Sequence, residues 1–285
     1  MNISKIIPSA AFSEPWRQIP WGNNAETLQY VQEFQPGNED LQHIRILLYG
    51  PIGAGKSSFI NSVSSVMRRR MATPAIAASV VHAGHSFTKK FETHKIKKGR
   101  GGQKTHYPFV FNDIMGLEDG EGQGVRADDI KVALKGHMRE GYMFNPVTPL
   151  TPESSGYNPS PSLDNKVHVL VCVLSANVAE VKESVIKKMA DIREVASLLG
   201  IPQMAIISCI DQACEETEKD LKNVYKSKHL KKKMEEFSAA VGIPLNYIFP
   251  VKNYSEEIDL NDDVDALILS ALKKMIDFGD DFTDK

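Results

Sequence analysis

Eight residues near position 50 could bind phosphate groups. The stretch from Gly50 to Ser57 reads G-P-I-G-A-G-K-S and matches G-x-x-x-x-G-K-[ST] at every fixed position. Glycines at these places let the backbone wrap around phosphate and direct its N–H groups at it, and the dipole of the following helix adds partial positive charge. The sequence therefore predicts a phosphate-binding loop that ends in a helix.

Two side chains of this loop carry further chemistry. Lys56 would contact the β and γ phosphates as a point charge, and Ser57 would place its hydroxyl on Mg²⁺. The residues that we predict to contact the nucleotide here are Gly50, Ile52, Gly53, Ala54, Gly55, Lys56, Ser57 and Ser58. The loop predicts binding of a nucleoside triphosphate without naming its base.

A second motif, Asp113 to Gly116, has the spacing D-x-x-G at the end of an apolar stretch. In nucleotide switches such an Asp holds Mg²⁺ through water, and the Gly amide senses the γ phosphate at the start of a mobile loop. The next residue is Leu117, where Ras-like switches carry the Gln that orients the attacking water. We therefore predict slow intrinsic hydrolysis, with Gln123 as a weak substitute for that Gln.

A threonine is expected to close over Mg²⁺ and the γ phosphate. The candidates between the two motifs are Thr88, Thr93 and Thr105, and the cations that flank Thr88 favour it weakly as a metal ligand and catalytic group. A plain surface strand explains residues 85–93 nearly as well. Arg100 is a weak candidate for a catalytic finger acting in trans, although an exposed basic loop explains it too.

The base is predicted from residues that follow two later strand candidates. Asp211 lies where guanine-specific proteins carry the Asp of [N/T]-K-x-D, and its carboxylate would accept from the guanine N1–H and 2-amino group. Cys209 stands in place of the Lys that covers the base, which predicts weaker affinity. The next loop, with Val251, Lys252 and Asn253, is expected to pass over the base, and Lys252 to replace the missing cover.

Alternating apolar and amphipathic segments must position these residues. Strand candidates cover 44–49, the neighbourhood of Val80, 107–111, 167–174, 204–209 and 247–251. Helix candidates cover 56–70, 125–140, 181–199, 216–241 and 264–278. This order predicts an α/β fold of three layers, a P-loop GTPase-type domain with a mostly parallel sheet, helices on both faces and ligands at the carboxyl ends of the strands.

The rest of the chain sets the domain limits. Residues 1–40 show weak periodicity but contain Trp16 and Trp21, so we predict a strap that packs on a nucleotide-binding domain spanning residues 41–285. A partly disordered tail is the alternative. Residues 83–106 are basic and Gly-rich and residues 145–164 are crowded with Pro and Ser; long irregular segments of this kind are usually functional or mobile.

Composition excludes several classes of function. With 34 Lys and Arg against 36 Asp and Glu, the net charge of -2 gives no reason to expect nucleic-acid binding. No apolar stretch approaches the roughly 20 residues of a membrane span, and the start of the chain does not resemble a secretory signal. Three cysteines without a C-x-x-C pair indicate a reducing compartment. We therefore expect a cytoplasmic protein without a transmembrane segment.

Several short stretches carry a resemblance to a known family. They are residues 15–17, 50–57, 113–117, 145–146, 160–163, 211, 251–255 and 267–272. Together they resemble the interferon-induced protein 44 family over nearly the whole chain. The resemblance implies a cytoplasmic, interferon-inducible, GTP-binding protein of vertebrate innate antiviral defence, distantly similar to dynamin-like and immunity-related GTPases.

The leading interpretation is a switch that binds GTP or GDP with Mg²⁺, hydrolyses slowly and forms a possible nucleotide-dependent homodimer. An alternative is a non-hydrolysing interaction module in which the nucleotide is structural and residues 145–162 bind an unidentified protein partner. A third, an ATP-specific ATPase or kinase, would need a base pocket without a discriminating carboxylate such as that of Asp211.

Overall fold

A sheet with the strand order β2-β3-β1-β4-β5-β6 forms the centre of the computed structural model, which describes residues 11–75, 89–99, 105–120, 122–178 and 180–284. The strands are β1 (Ile44–Tyr49), β2 (Glu92–Lys98), β3 (Thr105–Asp113), β4 (Val169–Ser175), β5 (Gln203–Ser208) and β6 (Ile248–Pro250). Only β2 runs antiparallel to its neighbour, and the other pairs are parallel. The predicted α/β fold with a mostly parallel sheet is confirmed.

The helices cover both faces of this sheet. They are α1 (Asn24–Glu33), α2 (Lys56–Arg68), α3 (Ala127–Leu134), α4 (Glu183–Leu198), α5 (Ile210–Ala213), α6 (Glu215–Lys219), α7 (Lys228–Val241) and α8 (Asp262–Thr283). Short 3-10 helices lie at Leu163–Asn165, Leu221–Tyr225 and Leu245–Tyr247. None of the helices within the described residues is long and apolar enough to cross a membrane.

Alternating side chains of β1 supply both halves of the core, because successive residues of a strand face opposite sides. Leu47 and Tyr49 pack with α3, α4 and α7, whereas Ile44, Ile46 and Leu48 pack with α1, α2 and α8. All six residues of the strand are buried. This double burial explains why β1 is an almost unbroken apolar run, and it fixes the loop after Tyr49 at the carboxyl edge of the sheet.

The strap residues 11–40 pack along the domain. The Phe12 N–H donates to Lys226 O at 2.8 Å, and the Trp16 N–H donates to Tyr225 O at 3.0 Å. The Trp16 and Tyr225 rings meet edge to face with centroids 5.3 Å apart. Arg17 donates to Ile248 O and Leu245 O, both at 2.6 Å, so its guanidinium binds the strap to the edge strand β6.

Several predicted elements need correction. The helix expected over 125–140 is only α3, because the chain turns at Gly136 with a φ of 82°. The helix expected over 216–241 is broken after α6, and α7 begins where the Ser227 hydroxyl accepts from the Leu230 N–H. Residues 83–106, expected to be irregular, include β2, and residues 1–40 include α1. The strand expected near Val80 lies outside the described residues.

Candidate nucleotide-binding site

The loop between β1 and α2 is wound as a phosphate-binding cradle. Gly50, Gly53 and Gly55 have φ angles of 147°, 72° and 92°, a region that residues with a side chain rarely adopt. A Cβ on Gly50 would lie 2.1 Å from Val173 O, and one on Gly55 would lie 2.9 Å from Asn253 Nδ2. The glycines are therefore required by backbone conformation and by close packing, as the motif predicts.

Lys56 is held inside this cradle. Its Nζ donates to Gly50 O at 3.1 Å and to Pro51 O at 3.0 Å, and the residue is only 7% exposed. Burial lowers the pKa of Lys56, and the nearby carboxylate of Asp113 acts in the opposite direction. An ammonium group carries three hydrogens, so a phosphate oxygen can accept one while two remain with the carbonyls.

The Ser57 hydroxyl and the Asp113 carboxylate are hydrogen-bonded to each other. Ser57 opens α2 and Asp113 ends β3, so the two motifs meet at the same edge of the sheet. A hydroxyl and a carboxylate at the mouth of a phosphate cradle are the oxygen ligands that Mg²⁺ prefers. Among the described residues no group of three or more His, Cys, Asp or Glu side chains could hold a metal ion by itself.

The loop that begins at Gly116 lies directly against the cradle. The Leu117 N–H donates to Gly50 O at 3.0 Å, and the Val125 N–H closes the loop on Gly116 O at 3.0 Å. A Cβ on Gly116 would meet Ile52 N at 2.7 Å, which explains the glycine. Leu117 is 2% exposed within the core, at the position where a water-orienting Gln would stand.

The tip of this loop is bound to α4. Lys188 Nζ donates to Glu118 O at 2.7 Å and to Gly120 O at 2.9 Å. The Asp119 carboxylate accepts from Lys182 Nζ at 2.7 Å and from the Ser184 hydroxyl at 2.5 Å. The acidic loop is thus held by the amino-terminal half of α4, a contact that the sequence does not predict.

Ser208 joins the predicted base site to the cradle. Its hydroxyl lies within hydrogen-bonding distance of Ala54 O, at 2.7 Å, and of Leu174 O, at 3.2 Å, and the residue is fully buried. Sequence comparison with [N/T]-K-x-D places Ser208 at the first position of that motif, which is the signal that could have predicted its role. Asn253 makes a second connection, since its Nδ2 donates to Gly55 O at 3.3 Å.

Asp211 and Lys252 approach each other across the expected base position. Asp211 lies in α5, which begins after Cys209 with a φ of 57°, and its Oδ2 is 3.7 Å from Lys252 Nζ. Lys252 Nζ also pairs with Glu257 Oε1 at 2.8 Å. The structure therefore brings together the predicted residues of the cradle, of the Asp113 motif and of the base loops at one edge of the sheet.

The remaining candidates are placed less favourably or not described. Thr93 donates its hydroxyl to Glu140 Oε2 at 2.5 Å and lies in β2 opposite Asn112, so its hydroxyl hydrogen is engaged by Glu140. Thr105 pairs with Lys98 at the far end of β2 and β3. Gln123 is exposed on its loop. Thr88 and Arg100 lie outside the described residues.

Curated relatives match most of the chain. It is 33% identical to interferon-induced protein 44-like from Homo sapiens over 253 residues, which are 88% of this chain and 55% of that protein. It is 35% identical to interferon-induced protein 44 from Homo sapiens over 256 residues, which are 90% of this chain and 56% of that protein. This chain is homologous to the interferon-induced protein 44 family.

Further comparisons agree with that relationship. The mouse (Mus musculus) interferon-induced protein 44 is 34% identical over 260 residues, which are 91% of this chain and 60% of that protein. The chain thus spans a little over half the length of the curated relatives that it matches. No family model matches the sequence.

Two solved structures are partly similar to this chain. Toc33 from Arabidopsis thaliana in complex with GDP and Mg²⁺ superimposes with a TM-score of 0.49 and 14% identity, covering 91% of this chain and 93% of that one. A probable GTP-binding protein, engB, gives 0.42 and 12% identity, covering 82% and 98%.

Proposed function

We propose that this chain binds GTP or GDP with Mg²⁺ and acts as a nucleotide-dependent switch with slow or partner-dependent GTP hydrolysis. The observation that carries the proposal is the link from the phosphate cradle to the base loop through the 2.7 Å contact of Ser208 with Ala54 O. It connects the cradle to the strand end that leads into the Asp211 loop, at the carboxyl ends of the strands, where α/β sheets bind ligands.

Charge and hydrogen bonding at the cradle support binding of a triphosphate. Backbone N–H groups of the loop, the amino terminus of α2 and the ammonium of Lys56 would together face the phosphates. Mg²⁺ held by Ser57, and through water by Asp113, would neutralise the β and γ phosphate oxygens. Hydrogen bonds within the protein already hold Lys56, Ser57 and Asp113 in position.

The chemistry of Asp211 supports guanine as the base. A carboxylate accepts the N1–H and 2-amino hydrogens of guanine, and adenine has no such pair of donors. Asp211 lies in a short helix after β5, facing Lys252, and its side chain is 19% exposed at the edge where the base would lie.

Burial of Leu117 supports slow turnover. The leucine is apolar and packed in the core, so its side chain cannot orient water.

The alternative is a non-hydrolysing interaction module with residues 145–162 as its partner surface. Such a module would keep bound GTP intact, whereas a slow switch would convert it to GDP. Purified protein that still contains intact GTP after long incubation would favour this alternative.

The biological setting is proposed from the relatives. Their names describe interferon-induced proteins, and we infer that this chain is likewise interferon-induced and acts in antiviral innate immunity. A cytoplasmic location is supported by the free thiols of Cys172, Cys209 and Cys214. We also propose that the chain forms a nucleotide-dependent homodimer and binds a protein partner whose identity is not known.

Replacement of Asp211 by alanine tests the base assignment. The carboxylate should contribute two charge-assisted hydrogen bonds to guanine, so Asp211→Ala should weaken GDP binding by about 10- to 100-fold and leave the weak binding of ADP unchanged. Isothermal titration calorimetry with GDP and ADP in the presence of Mg²⁺ measures both.

A matched control is Asp220→Ala, which removes a carboxylate that caps a 3-10 helix outside the site. It should bind GDP as the unchanged protein does. Preference of the unchanged protein for ADP, or equal GDP affinity of the Asp211→Ala variant, would show that the base is not recognised through Asp211.

A further inference from the structure

Three charged side chains form a cluster at the proposed base site. Lys252 Nζ lies 2.8 Å from Glu257 Oε1 and 3.7 Å from Asp211 Oδ2. The side chains are partly exposed, 26% for Lys252 and for Glu257 and 19% for Asp211. The lysine thus has two carboxylates within reach, and it lies nearer to Glu257.

Glu257 is fixed by its own loop. Its Oε2 accepts from the Ser255 N–H at 2.9 Å and from the Glu256 N–H at 3.2 Å, while Oε1 faces Lys252. Burial acts to raise the pKa of Glu257, but the hydrogen bond to Lys252 and those from the backbone outweigh it and hold the pKa at about 2. Glu257 is therefore a permanent, oriented anion in the neutral pH range.

Lys252 can affect guanine in two opposite ways. Its aliphatic stem can cover a base, but its ammonium can also pair with Asp211 and occupy the oxygens that guanine needs. Burial acts to lower the pKa of Lys252, whereas the hydrogen bond to Glu257 and the charge of Asp211 raise it overall, so the ammonium stays charged. If Glu257 holds the ammonium, the stem of Lys252 can cover the base. If Asp211 holds it, the oxygens of Asp211 are not available to guanine.

We propose that Glu257 is a positioning residue for guanine recognition, which holds the Lys252 ammonium so that the Asp211 carboxylate is left for the base. This inference rests on the proposed guanine-nucleotide site and goes beyond it by assigning a role to Glu257, which is not among the residues predicted to bind the nucleotide. Lys252 would then cover the base from the loop after β6. This would replace the covering lysine of [N/T]-K-x-D, where this chain has Cys209.

Replacement of Glu257 by glutamine tests the proposal. The amide keeps the size of the side chain and an oxygen that can accept from the Ser255 N–H, but it loses the charge that holds Lys252. Lys252 should then pair with Asp211, and GDP affinity should fall by about three- to tenfold in calorimetry. Glu256→Gln, the same change at the exposed neighbouring residue, should leave affinity unchanged.

The same substitution in a Lys252→Gln background separates positioning from a merely structural role. Without the ammonium there is nothing for Glu257 to hold, so Glu257→Gln should cause no further loss of GDP affinity. An equal loss in both backgrounds would show that Glu257 acts through the loop backbone and would overturn the proposal, as would unchanged affinity in the single variant.

The Asp211→Ala variant distinguishes a failure of the guanine assignment from a failure of the proposed role of Glu257. If Asp211→Ala weakens GDP binding and Glu257→Gln does not, guanine recognition stands and the role of Glu257 is wrong. If Asp211→Ala has no effect, the guanine assignment itself fails and the role of Glu257 fails with it.

Discussion

Leu117 illustrates how one residue can separate nucleotide binding from turnover. Its N–H donates to Gly50 O, so the backbone follows the path expected of a nucleotide-sensing loop. Its side chain is buried in the core cluster that includes Ile114 and Val125. The position therefore contributes to the stability of the domain and has no polar group to offer a water molecule.

Replacement of Leu117 by glutamine should not produce a fast GTPase. We expect the variant to lose about 2–4 kcal/mol of unfolding free energy, because an amide would replace buried apolar surface. Denaturant unfolding measures this loss, and single-turnover GTP hydrolysis at several protein concentrations measures turnover. The same substitution at the partly exposed Met115 should cost much less stability. A fast, concentration-independent rate in the unchanged protein would contradict slow intrinsic hydrolysis.

At the scale of elements, α4 serves as a support for the loop after β3. Lys188 reaches two carbonyl oxygens of the loop, and Lys182 and Ser184 bind the Asp119 carboxylate. The hydrogen bonds from Lys182 and Ser184 lower the pKa of Asp119, whose side chain is exposed. A nucleotide that repositions the loop would have to change these contacts.

Removal of the Lys188 ammonium should loosen this loop without unfolding the domain. In Lys188→Ala we expect faster hydrogen–deuterium exchange of the amides in residues 117–125, because the carbonyls of Glu118 and Gly120 lose their partner. Lys187→Ala is a matched control, since Lys187 is an exposed lysine on the same helix. Equal exchange in both variants would show that α4 does not restrain the loop.

The sequence predicts the phosphate cradle but not helix α1 or the contacts of Ser208 and Glu257. The cradle was predictable because its signal is local: glycine geometry, a preceding apolar strand and a following helix. By contrast, α1 was missed because Leu28 and Val31 are its only two buried residues, and the helix is stabilised by packing on α8. The roles of Ser208 and Glu257 depend on how separate loops meet in space, which residue spacing does not reveal.

At the scale of the whole molecule, the strap binds elements far apart in the chain. Arg17 donates to the carbonyls of Leu245 and Ile248, and its guanidinium lies 4.8 Å from the Trp16 ring centroid and 5.3 Å from that of Tyr225. The contacts of Arg17 with Leu245, Ile248 and Tyr225 join residues separated by more than 200 positions, so the strap should contribute to global stability.

Arg17→Ala should therefore lower the unfolding free energy by about 1–3 kcal/mol, through the loss of two hydrogen bonds and of the cation–π contacts with Trp16 and Tyr225. Arg17→Lys should recover little, because an ammonium cannot reproduce the planar fork that reaches both carbonyls. Denaturant titration measures both variants, with Gln18→Ala at the exposed neighbouring residue as the control. Unchanged stability of Arg17→Ala would contradict a stabilising role for the strap.

The strand β2 has a consequence for assembly. It lies at an edge of the sheet, exposes Lys95, Lys97 and Lys98, and carries an irregularity in its pairing between Lys95 and Lys97. Lysines and bulges on an edge strand oppose its extension by a strand from another molecule, and so protect against aggregation. A pair of copies should therefore avoid joining their sheets at β2.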